Sequence, residues 1–276
     1  MTIGVVGLGL IGGSLARAFK TLENIRVLGY DIDESTVLQS KLYGVTDEVL
    51  SKENMGECDY IFVALYPKAT ENFLEENLDN IKKGAVVVDC AGVKTSICEK
   101  CFLLAKKGGF RFIGGHPMAG KQFSGFKYST ASLFEKASMI LVPDKDEKIE
   151  TLEKLKSILV AVGFKSVTIT TGEEHDRIIA YTSQLAHVVS NAYVKSPNAK
   201  VHKGFSAGSY KDLTRVAKLN PRMWTELFME NRENIASEID GIIAELKKYS
   251  DAIKNNDEKE LERLLEEGSR IKSEVG

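Results

Sequence analysis

The stretch that decides the fold is IGVVGLGLIGGSLARAF, Ile3 to Phe19, in which four glycines fall within seven positions. An apolar, strand-like run precedes these glycines, and a helix-like run follows them. Glycine weakens both kinds of element, so the turn between them must require a backbone without side chains. Gly7, Gly9 and Gly12 match the pattern G-x-G-x-x-G, and Gly13 adds one glycine more.

Each glycine of this pattern has its own physical reason. The first allows a tight turn, the second lets a pyrophosphate approach the backbone, and the third lets the helix lie close to the sheet. Free N–H groups at the start of the helix, together with the helix dipole, hold the phosphates, and the Ser14 hydroxyl could add a further contact. The predicted cofactor-binding residues of this turn are Gly7, Gly9, Leu10, Ile11 and Gly12.

An acidic residue at the end of the second strand strengthens the prediction. Asp31 ends the run VLGYD, where its carboxylate can accept hydrogen bonds from the hydroxyls of the adenosine ribose. Asp31 and Asp33 would repel a 2′-phosphate, and no arginine stands beside them, so NAD is favoured over NADP. The alternative is a glycine-rich turn in a sheet that binds no nucleotide.

The composition excludes several classes of protein. With 276 residues and 43% hydrophobic content, the chain can bury one large core or two ordinary ones. A net charge of -2 gives no basic footprint for nucleic acid. No apolar run approaches the ~20 residues that a membrane helix needs, so we expect no membrane partner and a soluble, cytoplasmic protein.

The cysteines are too few for a disulfide framework in a chain of this length. Cys98 and Cys101 form a C-x-x-C in a helix-like segment, and no second pair of ligands lies nearby, so no metal site is predicted. A redox pair is the alternative to two thiols on the surface of a helix or half-buried in it.

Strand-like and helix-like segments alternate along the first part of the chain, up to Thr171. This repeated alternation predicts an α/β fold of the Rossmann type, with a mainly parallel sheet and helices on both faces. From Gly172 onward the apolar residues follow a helical period. We therefore predict a dinucleotide-binding domain over residues 1–171 and an all-helical domain for substrate binding and dimerisation over 172–276.

A narrow apolar seam runs through the helical part. Its residues alternate in steps of four and three, a spacing typical of helix packing. An intrachain bundle and a subunit interface both fit this spacing, and we expect a homodimer. The seam consists of Ile235, Ile239, Ile242, Leu246, Tyr249 and Ile253.

Polar residues stand where an open parallel sheet keeps its ligands, at the carboxyl ends of later strands. Asp89, Gly92 and Lys94 follow the fifth strand in VVVDCAGVK. His116 stands between Gly-Gly and Pro in FIGGHPMAG, with few neighbours to pack on, and its pKa range suits proton uptake near neutral pH. His175, in the acidic start GEEHD of a helix, is interpreted as a capping or solvent-exposed residue.

The helical part adds two groups of polar residues. His187 shares a helical face with Gln184 and Asn191, which indicates a polar cavity, although a buried, hydrogen-bonded histidine is the alternative. Lys211 and Arg215 lie four residues apart on one face of a helix. The planar fork of an arginine suits a carboxylate, although a solvent-exposed cation is the alternative.

Taken together, these motifs resemble the prephenate dehydrogenase family, including its relatives that use arogenate. The motifs appear in family order and cover nearly the whole chain. GGHPMAG with a downstream KDLTR is far more specific than the glycine pattern. The matching stretches are GVVGLGLIGGSLA, VLGYD, VVVDCAGVK, GGHPMAG, HDRIIAYTSQLAHVVSNA and GSYKDLTRVAKLNPRMWTELFMEN.

The resemblance implies oxidative decarboxylation of prephenate to 4-hydroxyphenylpyruvate, on the route to tyrosine, in a cleft between the two domains. His116 matches the family histidine that assists deprotonation of the 4-hydroxyl. Arg215 matches the arginine that binds a substrate carboxylate, Lys211 would add positive potential, and His187 matches a second active-site histidine. Lys94 completes the catalytic candidates, since it follows the fifth strand, where such a group could act.

Three positions depart from the family pattern. Gly92 replaces a serine that many members carry, and the hydroxyl of that serine contacts the reacting end of the substrate. Gln184 stands where some members have histidine, and Gln122 stands where others have glutamate. We count Gly92, Gln184 and Gln122 among the residues that bind substrate. The lost negative charge at Gln122 fits prephenate, whose pyruvyl group lacks the amine of arogenate.

Two other classes of function stay open at this point. One is a reductase of imines or β-hydroxy acids with the same two-domain plan, in which Lys94 could act. The other is a protein that senses NAD without turnover and would not need His116.

Overall fold

The computed structural model of the protein describes residues 1–275, and an eight-stranded sheet occupies its first part. The strand order is β3-β2-β1-β4-β5-β6-β7-β8. All neighbouring strands pair in parallel except β6 and β7, which are antiparallel. The strands are β1 (Thr2–Val6), β2 (Arg26–Tyr30), β3 (Glu48–Val49), β4 (Tyr60–Val63), β5 (Val86–Asp89), β6 (Arg111–Pro117), β7 (Ser138–Pro143) and β8 (Ser166–Ile169).

Helices cover both faces of this sheet, because the central strands are apolar on both sides. Two separate clusters of buried side chains form the cores of the two faces, one around Phe19 and Phe62 and the other around Leu28 and Ile97. Each fully buried side chain of this kind contributes about 1.5–3 kcal/mol to stability. The helices of this part are α1 (Leu10–Phe19), α2 (Glu34–Leu42), α3 (Pro67–Glu76), α4 (Thr95–Gly108) and α5 (Ile149–Ala161).

The rest of the described chain is helical. It begins two residues after the last strand, with Thr171 capping the first helix through its hydroxyl. A π-helical turn, Ala180–Leu185, joins the first two helices. The helices are α6 (Gly172–Ile179), α7 (Ala186–Tyr193), α8 (Gly208–Thr214), α9 (Pro221–Glu230), α10 (Arg232–Lys254) and α11 (Glu258–Val275).

This architecture confirms the predicted fold class. Every strand-like run of the sequence forms a strand, and the sheet is mainly parallel, as predicted. The predicted helical domain ends at Gly276, which lies outside the described residues. Within residues 1–275, no helix has the length and apolar character needed to cross a membrane.

The apolar seam of the helical part is only partly covered. Ile235 is buried, whereas Leu246 and Ile253 on α10 are each 60% exposed. Both cysteines of the C-x-x-C are free and buried in α4, and burial raises the pKa of each thiol. The expectation of surface or half-buried thiols was therefore wrong, and the raised pKa values oppose the thiolate form that a redox pair needs.

Candidate active site

The glycine turn lies at the carboxyl end of β1 and has the predicted geometry. Gly7 has a φ of +83°, which side chains rarely adopt. A Cβ on Gly12 would lie 1.8 Å from the carbonyl oxygen of Gly7, so only glycine allows α1 to start there. A Cβ on Gly9 would meet nothing within 4 Å, and no side chain caps α1. The start of α1 is therefore open beside Gly9, as the approach of a pyrophosphate to its N–H groups requires.

Asp31 lies beside this turn, at the end of β2. Its Oδ2 accepts a hydrogen bond from the N–H of Leu8 at 2.7 Å, and its Oδ1 accepts one from the N–H of Asp33 at 2.9 Å. Asp33 in turn caps α2. Ser14 does not join the site, because its buried hydroxyl accepts a hydrogen bond from the N–H of Thr130 at 3.0 Å. The suggested phosphate contact of Ser14 is therefore wrong.

A chain of three side chains crosses from the sheet to the helical domain. His116, near the end of β6, pairs its Nδ1 with Nε2 of His175 on α6 at 2.9 Å. Nδ1 of His175 lies 2.7 Å from Oδ1 of Asp176. Because a carboxylate only accepts, His175 must donate to Asp176, and its Nε2 then accepts from His116. This assignment of protons leaves the lone pair of His116 on Nε2, on the side of Gly92.

The surroundings keep His116 neutral and Asp176 charged. Burial lowers the pKa of His116 well below its usual value, and the charge of Lys94 lowers it further. Burial acts to raise the pKa of Asp176, but hydrogen bonds from His175 and Thr95 lower it on balance. His116 is therefore a neutral proton acceptor oriented by a buried His–Asp pair.

His175 and Asp176 were missed by the sequence reasoning, which interpreted His175 as a capping or exposed residue. Both side chains are buried. The interpretation failed because an acidic first helical turn is the usual mark of a solvated helix start. The position of this helix start against β6 is set by tertiary packing, and nothing local in GEEHD encodes it.

Lys94 requires a correction. Lys94 and Asp89 are fully buried, and Nζ of Lys94 lies 2.5 Å from Oδ2 of Asp89. Oδ1 of Asp89 accepts a hydrogen bond from the N–H of Gly115 at 3.0 Å, directly before His116. The ammonium group therefore faces no cleft and cannot act on a substrate. Its geometry is that of a group that holds the end of β6 in place.

Gln184 requires a second correction. Its side chain is buried, donating to the carbonyl of Leu227 at 3.3 Å and accepting from Nδ2 of Asn231 at 2.8 Å. The amide is thus bound at both ends within the helical domain, and its burial keeps it from a substrate. Asn191, on the same predicted polar face, donates to the carbonyl of Ala217 at 3.0 Å.

The helical half of the cleft carries the cationic residues. His187 hydrogen-bonds through Nδ1 to the carbonyl of Ser183 at 2.8 Å, which leaves Nε2 as an acceptor. Burial lowers the pKa of His187, and the nearby charge of Arg215 lowers it further. Arg215 and Lys211 are exposed, and within residues 1–275 neither side chain has an ion-pair partner. Gln122 is exposed in the loop after β6.

Helix α9 brings the two halves together. Trp224 packs on His187 with ring centroids 4.1 Å apart, and the methyl groups of Leu227 lie 3.5 Å from where a Cβ on Gly92 would be. Trp224 and Leu227 are three positions apart, about 4.5 Å along the axis of a helix. That same Cβ would lie 3.9 Å from Nε2 of His116. Helix α9 therefore links His187 to Gly92 and His116, and the surface between them is the candidate cleft. The charge of Arg215 acts on His187 there.

Comparisons with known proteins agree with this geometry. A family model described as "Prephenate dehydrogenase, nucleotide-binding domain" matches residues 15–168, and "Prephenate dehydrogenase, dimerization domain" matches residues 171–267. A prephenate dehydrogenase of Bacillus subtilis is 30% identical over 96% of this chain and 73% of its own length.

Two solved structures are similar over the whole chain. Prephenate dehydrogenase from A. aeolicus, in complex with hydroxyphenyl propionate and NAD+, has a TM-score of 0.88 and 28% identity, covering 100% of this chain and 98% of that one. Arogenate dehydrogenase from Synechocystis has a TM-score of 0.84 and 28% identity, covering 100% of both chains. The chain belongs to the prephenate dehydrogenase family.

Proposed function

We propose that this protein is an NAD-dependent prephenate dehydrogenase of tyrosine biosynthesis, converting prephenate to 4-hydroxyphenylpyruvate with loss of CO2. The observation that carries the proposal is the His116–His175–Asp176 chain, whose free Nε2 lies beside Gly92, after the carboxyl end of β5. A neutral base in that position suits removal of the proton from the 4-hydroxyl of the substrate. A sensor without turnover would have no need of it.

The cofactor site fits NAD. Gly7, Gly9, Gly12 and the N–H groups at the start of α1 would hold the pyrophosphate, and Asp31 would accept hydrogen bonds from the ribose. When bound there, NAD+ accepts a hydride from ring carbon C4. The carboxylates of Asp31 and Asp33 oppose a 2′-phosphate, which favours NAD over NADP.

Side chains of the protein remove the proton and bind the substrate. Nε2 of His116 takes the hydroxyl proton, and the resulting positive charge is stabilised through His175 by the Asp176 carboxylate, as in other oriented imidazole bases. Arg215 binds a carboxylate of the substrate, and Lys211 adds positive potential beside it. The ring carboxylate leaves as CO2, and aromatisation of the ring supplies much of the driving force.

Substrate choice depends on the residues around the side chain of the substrate. Gln122 carries no negative charge to pair with an amine, which favours prephenate. Arogenate dehydrogenation, which forms tyrosine directly, is the second candidate, and the similarity to the arogenate dehydrogenase of Synechocystis supports it. A reductase in which Lys94 acts on the substrate is not supported, because Lys94 is buried in an ion pair.

The assembly follows from the helical part. We propose a nucleotide domain over residues 1–171 and a helical domain over 172–276 through which two copies form a homodimer. The exposed apolar side chains of α10 support this pairing, since burying them requires a partner. Four free cysteines fit the reducing cytoplasm as the location.

Turnover assays test the proposed function. Purified protein is incubated with prephenate or arogenate and with NAD+ or NADP+, and absorbance of the reduced cofactor is followed. We expect the highest kcat/KM for prephenate with NAD+. Turnover with arogenate alone would support the second candidate, and no turnover with either substrate would refute both.

A further inference from the structure

Two helices of the nucleotide domain lack caps of their own. α3 follows β4 and α4 follows β5, so both begin at the edge of the sheet where the cleft lies. Neither helix has a side-chain cap from its N-cap residue, and neither has an acidic residue in its first turn. The N–H groups of a first helical turn need acceptors, and negative charge there is stabilising.

The helical domain supplies those acceptors. Oε1 of Glu226 accepts a hydrogen bond from the N–H of Lys68, in the first turn of α3, at 2.9 Å. The two oxygens of Asp176 accept from the N–H groups of Lys94 and Thr95, at the start of α4, each at 2.8 Å. The caps of both helices therefore come from the opposite domain.

A second glutamate acts at the start of α4. Oε2 of Glu230 lies 2.5 Å from the hydroxyl of Ser96, which donates to it. Glu230 is four residues after Glu226 and three after Leu227 on α9, so it shares a helix face with each of them. Leu227, between the two glutamates, packs over Gly92.

The same helix carries Trp224 against His187. Because α9 is a single rigid element, whatever fixes it to the nucleotide domain also fixes His187 relative to Gly92 and His116. The two glutamates are the residues of α9 that hydrogen-bond to α3 and α4. α1 has no side-chain cap, so its N-terminus stays open to phosphate.

We propose that Glu226, Leu227 and Glu230 form a latch between the domains, and that the two glutamates are positioning residues for the reaction. By capping α3 and by binding the Ser96 hydroxyl at the start of α4, they set the separation between His116 and the cationic half of the cleft. They do not touch the reacting atoms. The expected effect on KM for prephenate rests on the proposed function, whereas the expected effect on the position of α9 does not.

The chain offers a built-in reporter, because Trp224 on α9 is its single tryptophan. The double variant Glu226→Ala/Glu230→Ala is compared with the wild type and with Glu233→Ala, whose carboxylate on α10 is 90% exposed. Three quantities are measured: the quenching of tryptophan fluorescence by acrylamide, the Kd of NAD+ by calorimetry, and KM and kcat for prephenate.

We expect the double variant to be quenched about twice as strongly and to need about tenfold more prephenate for half-maximal rate. This is the effect of losing one helix cap and one hydrogen bond to a charged group. The Kd of NAD+ should stay within about twofold, since α1 and β2 are untouched. The control should match the wild type in all three measurements. A rise in KM for prephenate without a rise in the Kd of NAD+ distinguishes a loss of positioning from a general loss of structure.

Two outcomes would overturn the latch. One is a double variant with the quenching and the KM of the control, and the other is a Kd for NAD+ that rises by the same factor as KM. If the alanine variant does not fold, Glu226→Gln/Glu230→Gln keeps the acceptor oxygens and should give a smaller increase in KM. Should the wild type turn over neither cyclohexadiene substrate, the fluorescence comparison still decides the latch independently of the proposed function.

A double-mutant cycle isolates the contact at α4. Ser96→Ala and Glu230→Ala remove opposite partners of one hydrogen bond. We expect their effects on the quenching constant to be non-additive, with Ser96→Ala having little effect once Glu230 is gone. Fully additive effects would show that this hydrogen bond does not hold α9 in place.

Discussion

Replacing His175 tests the orientation of the base more specifically than replacing His116 itself. His175→Phe keeps a ring of similar volume in the buried site and removes both ring nitrogens. Nδ1 of His116 then loses its acceptor at 2.9 Å, and Asp176 loses one donor at 2.7 Å. Asp176 keeps the N–H groups of Lys94 and Thr95, so the contact between the domains survives.

The expected size of the effect follows from that hydrogen bond. His116 becomes positively charged when it takes the proton, and a hydrogen bond to a charged group contributes about 1.5–3 kcal/mol. At 1.36 kcal/mol for each factor of ten, kcat should fall by about 10- to 150-fold. The KM of NAD+ should change little, because the nucleotide turn is not involved.

The pH dependence of kcat/KM gives a second, independent test of how His175 acts on His116. Burial lowers the pKa of His116, so the wild-type base is neutral from well below pH 6.5 upward. Phe removes the acceptor that stabilises the protonated ring of His116, so the pKa of His116 falls further. The acid limb of kcat/KM, where the base becomes protonated, should therefore move to lower pH in the variant.

Steady-state formation of NADH from prephenate, measured across pH for wild type and variant, provides both readouts. His202→Phe is the matched control, since the contacts of His202 with Ser206 and Tyr210 lie in the helical domain and leave the His116–His175–Asp176 chain intact. A kcat within about threefold of wild type, with an unmoved acid limb, would show that the imidazole pair does not orient the base. A limb that moves to higher pH would contradict the stabilisation of protonated His116 through His175.

Three further substitutions give specific expectations. Gly92→Ser should fold normally, because its Cβ would meet only ordinary contacts at 3.5 and 3.9 Å. The kcat/KM for prephenate should rise, because the serine hydroxyl reaches the reacting end of the substrate, and a fall of tenfold or more would contradict this. Asp31→Asn should raise the KM of NAD+ about tenfold and that of NADP+ less, in assays at saturating prephenate, because one negative charge beside the ribose is lost. Arg215→Ala should raise the KM of prephenate by about 10- to 150-fold with Arg215→Lys between it and wild type, whereas an unchanged KM would show that Arg215 binds no carboxylate.

The sequence predicted the sheet well, because its information is local. Each strand of a parallel sheet buried on both faces is a short apolar run bounded by turns. The glycine spacing from Gly7 to Gly12 predicts the nucleotide-binding turn. A functional role for His116 was predictable for a related reason. The glycines and the proline beside it offer few side chains to pack on, so a role in the core is a poor explanation of this histidine.

The polar network of the site was not predictable in the same way. His175, Asp176 and Lys94 lie in segments whose local patterns are those of a helix start and a strand end. Whether such a side chain faces a cleft or a buried partner depends on contacts between residues far apart in sequence, such as Asp176 with Thr95. The same holds for Gln184, whose amide is used by Leu227 and Asn231.

The function of His116 can be measured most directly by comparing His116→Asn with the wild type, with prephenate and NAD+ both saturating. Removal of a base that takes the hydroxyl proton predicts a fall in kcat of about 10^2- to 10^4-fold, with the Kd of NAD+ unchanged by calorimetry. A variant that retains kcat within about threefold would show that the proton leaves by another route. The assignment of His116 as the base, and of His175 and Asp176 as the pair that orients it, would then be wrong.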